Sequence, residues 1–192
     1  MKTPVCCHSG KVGHAPPRGR VLFSRRRIVR RVRELAEQVN AHYGDAELTV
    51  VGVMTGALPL MADLIGLLAP HVRVEVLQAR SYHGTARRAG RLKLIHNLPD
   101  SFRGRHVLVV DEVLESGKTL SAIVAEVRRR KPASVASLVL LHKQVSGLEG
   151  AAIRKRCRAE FVGFDCDDVF LVGYGLDCDG RFRNMPHIAA LE

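Results

Sequence analysis

No acidic residue occurs before Glu34, no apolar run reaches the length of a membrane span, and no two cysteines form a CxxC pair. Each absence excludes something. A membrane-crossing helix needs roughly 18 or more consecutive apolar residues, so neither a span nor a membrane partner is expected. The N-terminal stretch also lacks the compact apolar block of a secretory signal, and a cytoplasmic location is the expectation. Cys6, Cys7, Cys157, Cys166 and Cys178 are odd in number and irregularly spaced. That pattern argues against a disulfide framework or a zinc ribbon, and for reduced thiols. Internal repeats are absent as well.

What is present is enough for one domain. The chain has 192 residues, 46% of them hydrophobic, which suffices to bury a full core. Its formal charge of +11 is concentrated between Met1 and Arg33, and the remainder is near neutral. A segment this basic reads either as a solvated leader followed by an exposed helix face, or as an attractor of nucleic acid or another polyanion. No aromatic residues interleave the arginines as a single-strand platform would require, so nucleic acid is the less favoured partner. Residues 1–20, with Gly, Pro, His and Lys but no periodicity, read as a flexible basic leader. Residues 21–192 read as a single domain.

Ser24 offers an N-cap, and Ile28, Val29, Val32, Leu35, Ala36 and Val39 follow at helical spacing. Arg25, Arg26 and Arg27 then occupy a first turn where the helix dipole disfavours cations, with no reason from folding and a hint of an anionic partner. Beyond this point strands and helices alternate. Strands are expected at 48–53, 72–78, 91–96, 107–110, 135–141, 161–164 and 170–173, and helices at 59–68 and 119–130. The wholly apolar run at 107–110 suits the middle of a parallel sheet. The fold class is α/β, a central and mostly parallel sheet flanked by helices.

The most informative stretch runs from Val107 through Asp111-Glu112 to Ser116-Gly117-Lys118-Thr119-Leu120. It passes from a strand, across an acidic pair, into a small-residue turn that opens a helix. Such a turn offers backbone N–H groups, two hydroxyls and a helix N-terminus to a phosphate. A nucleotide-triphosphatase loop is excluded, because the glycine it needs five places before Gly117 is replaced by Glu112. Acids that accept from ribose hydroxyls, beside a turn that holds a 5′-phosphate, suit a sugar phosphate.

This combination resembles the signature of type I phosphoribosyltransferases. The run Val51-Gly52-Val53-Met54-Thr55-Gly56-Ala57 is similar to that family's pyrophosphate turn, and Ser81-Tyr82 to the head of its mobile loop. Leu140-Leu141-His142-Lys143 resembles its base-reading strand end. The segments Phe161 to Phe164, Phe170 to Asp177 and Arg183-Asn184 resemble the closing part of hypoxanthine-guanine phosphoribosyltransferases.

The resemblance implies roles. Glu115 stands where the family places a general base, usually Asp. Asp111 and Glu112 bind ribose hydroxyls, directly or through Mg²⁺, and Asp177 helps to bind the metal. Ser116, Gly117, Lys118 and Thr119 hold the 5′-phosphate. Thr55, Gly56 and Arg183 meet pyrophosphate, and Ser81 and Tyr82 cover the site. Lys143 reads the 6-oxo group, Phe170 stacks on the base and the Leu171 backbone reads its edge.

The implied reaction joins hypoxanthine or guanine to phosphoribosyl pyrophosphate in purine salvage, by a homo-oligomer (dimer or tetramer) with a small hood built from terminal segments. Two alternatives accompany it. One is a weak or inactive relative that senses nucleotides and binds nucleic acid through its basic N-terminus. The other is the same enzyme acting on xanthine or a pyrimidine.

Overall fold

A computed structural model describes residues 19–69, 71–81, 92–96, 98–144 and 158–191. The expected positions at Tyr82, Cys6, Cys7 and Cys157 lie outside these residues, as does the leader before Gly19. The chain begins with strand β1 (Gly19–Phe23) and helix α1 (Arg25–Tyr43), followed by β2 (Leu48–Met54), α2 (Leu58–Ile65), β3 (Val72–Ser81) and β4 (Leu92–His96). Then come β5 (His106–Leu114), α3 (Lys118–Arg128), β6 (Ser134–Gln144), β7 (Phe161–Asp167), β8 (Leu171–Val172) and β9 (Ile188–Leu191).

Six strands form the central sheet in the order β4-β3-β2-β5-β6-β7, all parallel except β4, which pairs antiparallel with β3. Apolar residues on alternate positions feed two cores, one on each face. On one face Val50, Leu108, Val110, Leu138 and Leu140 pack against Ile28, Val32, Leu35 and Val39 of α1 and Leu60 and Leu64 of α2. On the other, Val51, Val107, Val109 and Val139 meet Leu120, Ile123 and Val127 of α3, with Leu98 and Phe102. A second sheet, β1-β9-β8, joins the two ends of the domain as the expected hood.

The structure corrects four expectations. Gly19 and Arg20 are not leader but strand, paired with Leu191 and Ala190. Neither β1 nor β9 is visible in the sequence, because each is stabilised by the other across the length of the chain. β5 continues past Val110 to Leu114, since its parallel pairing with β6 goes on through Asp111↔Val139 to Leu114↔His142. The acids therefore sit on the strand itself, not after it. Finally, Cys178 is disulfide-bonded, so the expectation of reduced thiols holds for the buried, free Cys166 alone among the described cysteines.

Arginines of the first turn of α1 also find folding roles that the sequence did not disclose. Ser24 caps the helix by accepting from Arg27 N. Arg25 grips Asp63 of α2 through both Nη atoms, at 2.5 and 3.0 Å. Arg27 donates to the Leu22 carbonyl and lies over the stacked rings of Phe23 and Phe164. One turn later Arg31 donates to the carbonyls of Gly163 and Val162 at the sheet edge. These contacts offset the unfavourable dipole and occupy charges that a polyanion would otherwise meet.

Candidate active site

The C-terminal ends of the parallel strands open into a cavity of about 450 Å³. Ligand crevices in open α/β sheets lie at these strand ends, because the loops that follow them converge there. Thr55, Gly56, Asp111, Glu112, Glu115, Ser116, Gly117, Thr119, Asp177 and Arg183 all line it. Segments distant in sequence thus meet: the ends of β2 and β3, the stretch from the end of β5 into α3, and the loop after β8.

Gly117 has φ 68° and caps α3. This left-handed conformation is open to glycine at little cost, and it turns the chain so that the helix N-terminus faces the cavity. Lys118 N approaches Ser116 Oγ at 3.4 Å. Thr119 lines the cavity, whereas the exposed Lys118 side chain does not.

Asp111 is 6% exposed, and one of its carboxylate oxygens accepts from Glu112 N at 2.9 Å. Burial, and next the charge of Glu112, push the Asp111 carboxyl well above the usual carboxylate range. Glu112 lies against the β2–α2 turn so closely that a Cβ at Gly56 would collide with its carboxylate. The Met54–Thr55 peptide in this turn is cis. Gly175, at φ 97°, approaches in turn the carbonyl of Gly56, again leaving no space for a side chain. The Gly175 carbonyl accepts from Arg183 Nη1 at 2.5 Å, and Arg183 Nη2 pairs with Asp177 at 2.6 Å. The hood is in this way laid directly on the β2–α2 turn.

Two adjacent carboxylates, Asp111 buried and Glu112 beside it, suit a hard cation, which binds through one or two carboxylates and completes its shell with substrate oxygens. Among the described residues no three metal-ligating side chains cluster into a complete cage. The donor set therefore fits Mg²⁺ carried in with a phosphorylated substrate better than a permanently caged ion.

The expected base-reading residues lie apart from the cavity lining. Lys143 near the end of β6 is 8% exposed and meets the cavity through Glu115, whose Oε1 accepts from its Nζ at 3.2 Å. Phe170 packs on a small hood cluster with Val172, Cys178, Ala189 and Leu191, and its carbonyl accepts from Leu191 N. Leu171 is buried in β8. Ser81 ends β3; Gln78, three residues earlier, lines the cavity.

Sequence reasoning missed Asp168, 3.8 Å from Lys143 Nζ. It also missed the network of Tyr174, Asp63 and Arg25. Tyr174 donates to Asp63 Oδ2 at 2.6 Å, the same oxygen that Arg25 Nη1 meets. Pairing across 38 residues for Arg25–Asp63 and 111 for Tyr174–Asp63 leaves no local sequence signal.

The phosphoribosyl transferase domain model matches residues 22–178. The hypoxanthine-guanine phosphoribosyltransferase of Bacillus subtilis (strain 168) is 36% identical over 90% of this chain and 93% of its own. A crystal structure of a Staphylococcus aureus hypoxanthine phosphoribosyltransferase superposes with a TM-score of 0.80 at 30% identity, covering 95% of this chain and 96% of that one. A Trypanosoma cruzi hypoxanthine phosphoribosyl transferase, studied for the role of its C-terminal region in oligomeric state and activity, gives a TM-score of 0.80 at 27% identity over 94% of each chain. Sequence and overall fold agree along almost the entire chain, and the chain belongs to the hypoxanthine-guanine phosphoribosyltransferase family.

Proposed function

We propose that this chain transfers a phosphoribosyl group from phosphoribosyl pyrophosphate to hypoxanthine or guanine, yielding IMP or GMP and pyrophosphate in purine salvage. The observation that carries the reading is the single cavity shared by an acidic strand end, a helix-capping phosphate turn and the Arg183–Asp177 pair. In this reading the α3 turn, Ser116 to Thr119, holds the 5′-phosphate. Asp111 and Glu112 accept from the ribose hydroxyls, while Thr55, Gly56 and Arg183 meet the pyrophosphate.

A ring nitrogen of the base attacks the anomeric carbon as the bond to pyrophosphate breaks. Glu115 takes the proton released from the base, and Arg183 offsets charge on the leaving group. Asp111 and Glu112 at the strand end, and Asp177 apart from them in the hood, are the residues that would bind Mg²⁺ together with substrate oxygens rather than as one cage, and the metal would supply charge neutralisation at the phosphate oxygens. Lys143 donates to the 6-oxo group; having only donors, it disfavours the amino group of adenine. Phe170 stacks on the base, the Leu171 backbone reads its edge, and Ser81 and Tyr82 belong to the segment that shields the site from water.

A homo-oligomer and a cytoplasmic location are part of the same proposal. Val74 and Val76 of β3 and Ile95 of β4 are 48%, 52% and 41% exposed. The register Gln78↔Ile95 puts all three on one face of the sheet, the face that carries α1 and α2. An apolar strip of this kind supports burial against a second copy.

The deciding experiment supplies phosphoribosyl pyrophosphate and Mg²⁺ with hypoxanthine, guanine, xanthine or adenine, and measures the nucleotide formed. Turnover of hypoxanthine and guanine without adenine is expected. Turnover of adenine at a comparable rate would refute the role of Lys143, and no turnover of any base would refute the proposed activity.

A further inference from the structure

Lys143 does not present its charge alone. Its side chain is 9% exposed, with Nζ 3.2 Å from Glu115 Oε1 and 3.8 Å from Asp168 Oδ1. The two carboxylates reach it from different elements, the end of the β5 segment and the loop after β7. The neighbouring strand position is Cys166. Its thiol is pushed up first by burial, then by Asp167, Asp165 and Asp168, against the opposing pull of Lys143. Asp165 is already engaged by His142 and Gln144. One buried ammonium is therefore outnumbered by carboxylates, in a protein whose overall charge is strongly positive.

An ammonium carries three N–H donors. Glu115 accepts one of them, and Asp168, at 3.8 Å, adds compensating charge without a hydrogen bond, so donors remain for a purine oxo group while the positive charge is already offset. A neutral base requires only such a donor. An anionic base would require net positive charge, which this end of the site lacks. Hypoxanthine and guanine are neutral near pH 7, whereas xanthine loses a ring proton near neutrality, and the base of its nucleotide does so more readily.

Resting on the proposed activity, we infer that Glu115 and Asp168 are specificity-determining residues that make the site accept neutral 6-oxopurines and discriminate against xanthine. Both acids are partly exposed, so solvent screening limits each to a selectivity factor on the order of tenfold, well short of the value for a buried charge.

The test is a calorimetric titration of IMP and XMP into the full chain in Mg²⁺. The two ligands share ribose and phosphate and differ only at the base. XMP is expected to bind at least about tenfold more weakly, and Asp168→Asn and Glu115→Gln are each expected to narrow that ratio by roughly threefold or more. Tight and equal binding of both nucleotides to the wild-type protein, or a ratio unmoved in both variants, overturns the inference while leaving the proposed activity intact. IMP binding no tighter than ribose 5-phosphate would overturn the proposed activity, and the inference with it.

Discussion

Gly56 is the residue on which the cavity depends most directly. A Cβ there would meet the Glu112 carboxylate, and the Gly56 carbonyl already touches the position where a Gly175 side chain would start. Gly56→Ala must therefore push the Glu112 carboxylate out of its place beside the β2–α2 turn. A misplacement of about 1 Å at a reacting centre costs up to ~100-fold in rate. In steady-state kinetics this substitution is expected to raise KM for phosphoribosyl pyrophosphate by at least about tenfold, with a smaller change in KM for the base. Equal effects on both substrates would show that the damage is to the fold in general. Glu115→Gln removes the proposed proton acceptor at nearly constant volume, and a kcat loss of roughly 10²–10⁴-fold is expected. Unchanged kcat would remove Glu115 from that role.

Among the elements, the hood is held by a long-range polar clamp as well as by β1–β9 pairing. Arg25 at the start of α1, Asp63 in α2 and Tyr174 beside Gly175 share one carboxylate. Burial alone would raise the Asp63 pKa, but the hydrogen bonds from Arg25 and Tyr174 outweigh it and hold the carboxyl below its ordinary range. The sign of the linkage follows from that depression. The stabilisation is fully present above the pKa of an unfolded aspartate and is lost as pH falls through the lower, folded value. Asp63→Asn is expected to cost about 1–3 kcal/mol in denaturant unfolding near pH 7. The gap from wild type should close in acid; a gap independent of pH would show that Asp63 acts through packing.

For the whole molecule, the apolar strip of Val74, Val76 and Ile95 is too exposed to belong to either core, and it lies on the same sheet as the cavity. Val76→Asp introduces a charge at its centre. Sedimentation velocity is expected to show an oligomeric wild-type protein and a substituted protein shifted towards monomer, with the domain still folded by circular dichroism. A monomeric wild-type protein at micromolar concentration would dissociate the strip from self-association. The basic charge, by contrast, is partly absorbed by the fold through Arg25, Arg27 and Arg31.

Local pattern was enough to find most of the architecture. The alternating apolar runs identified the strands of the central sheet, and Ser24 and the turn from Ser116 to Thr119 marked helix starts, because capping and periodicity act over a few residues. The acidic pair followed by Ser116 to Thr119 disclosed the site for the same reason: its chemistry is contiguous. What depends on distant partners was not legible. β1 and β9 are short and ordinary until they pair, and the length of β5 was decided by β6. The contacts of Glu115 and Asp168 with Lys143, of Arg25 with Asp63 and Tyr174, and of Gly56 with Glu112 and Gly175 each join separate segments. The sequence by itself determined the fold class and the phosphate turn; the tertiary structure alone decided which charges meet, because electrostatic and steric contact depend on distance in space and not on separation along the chain.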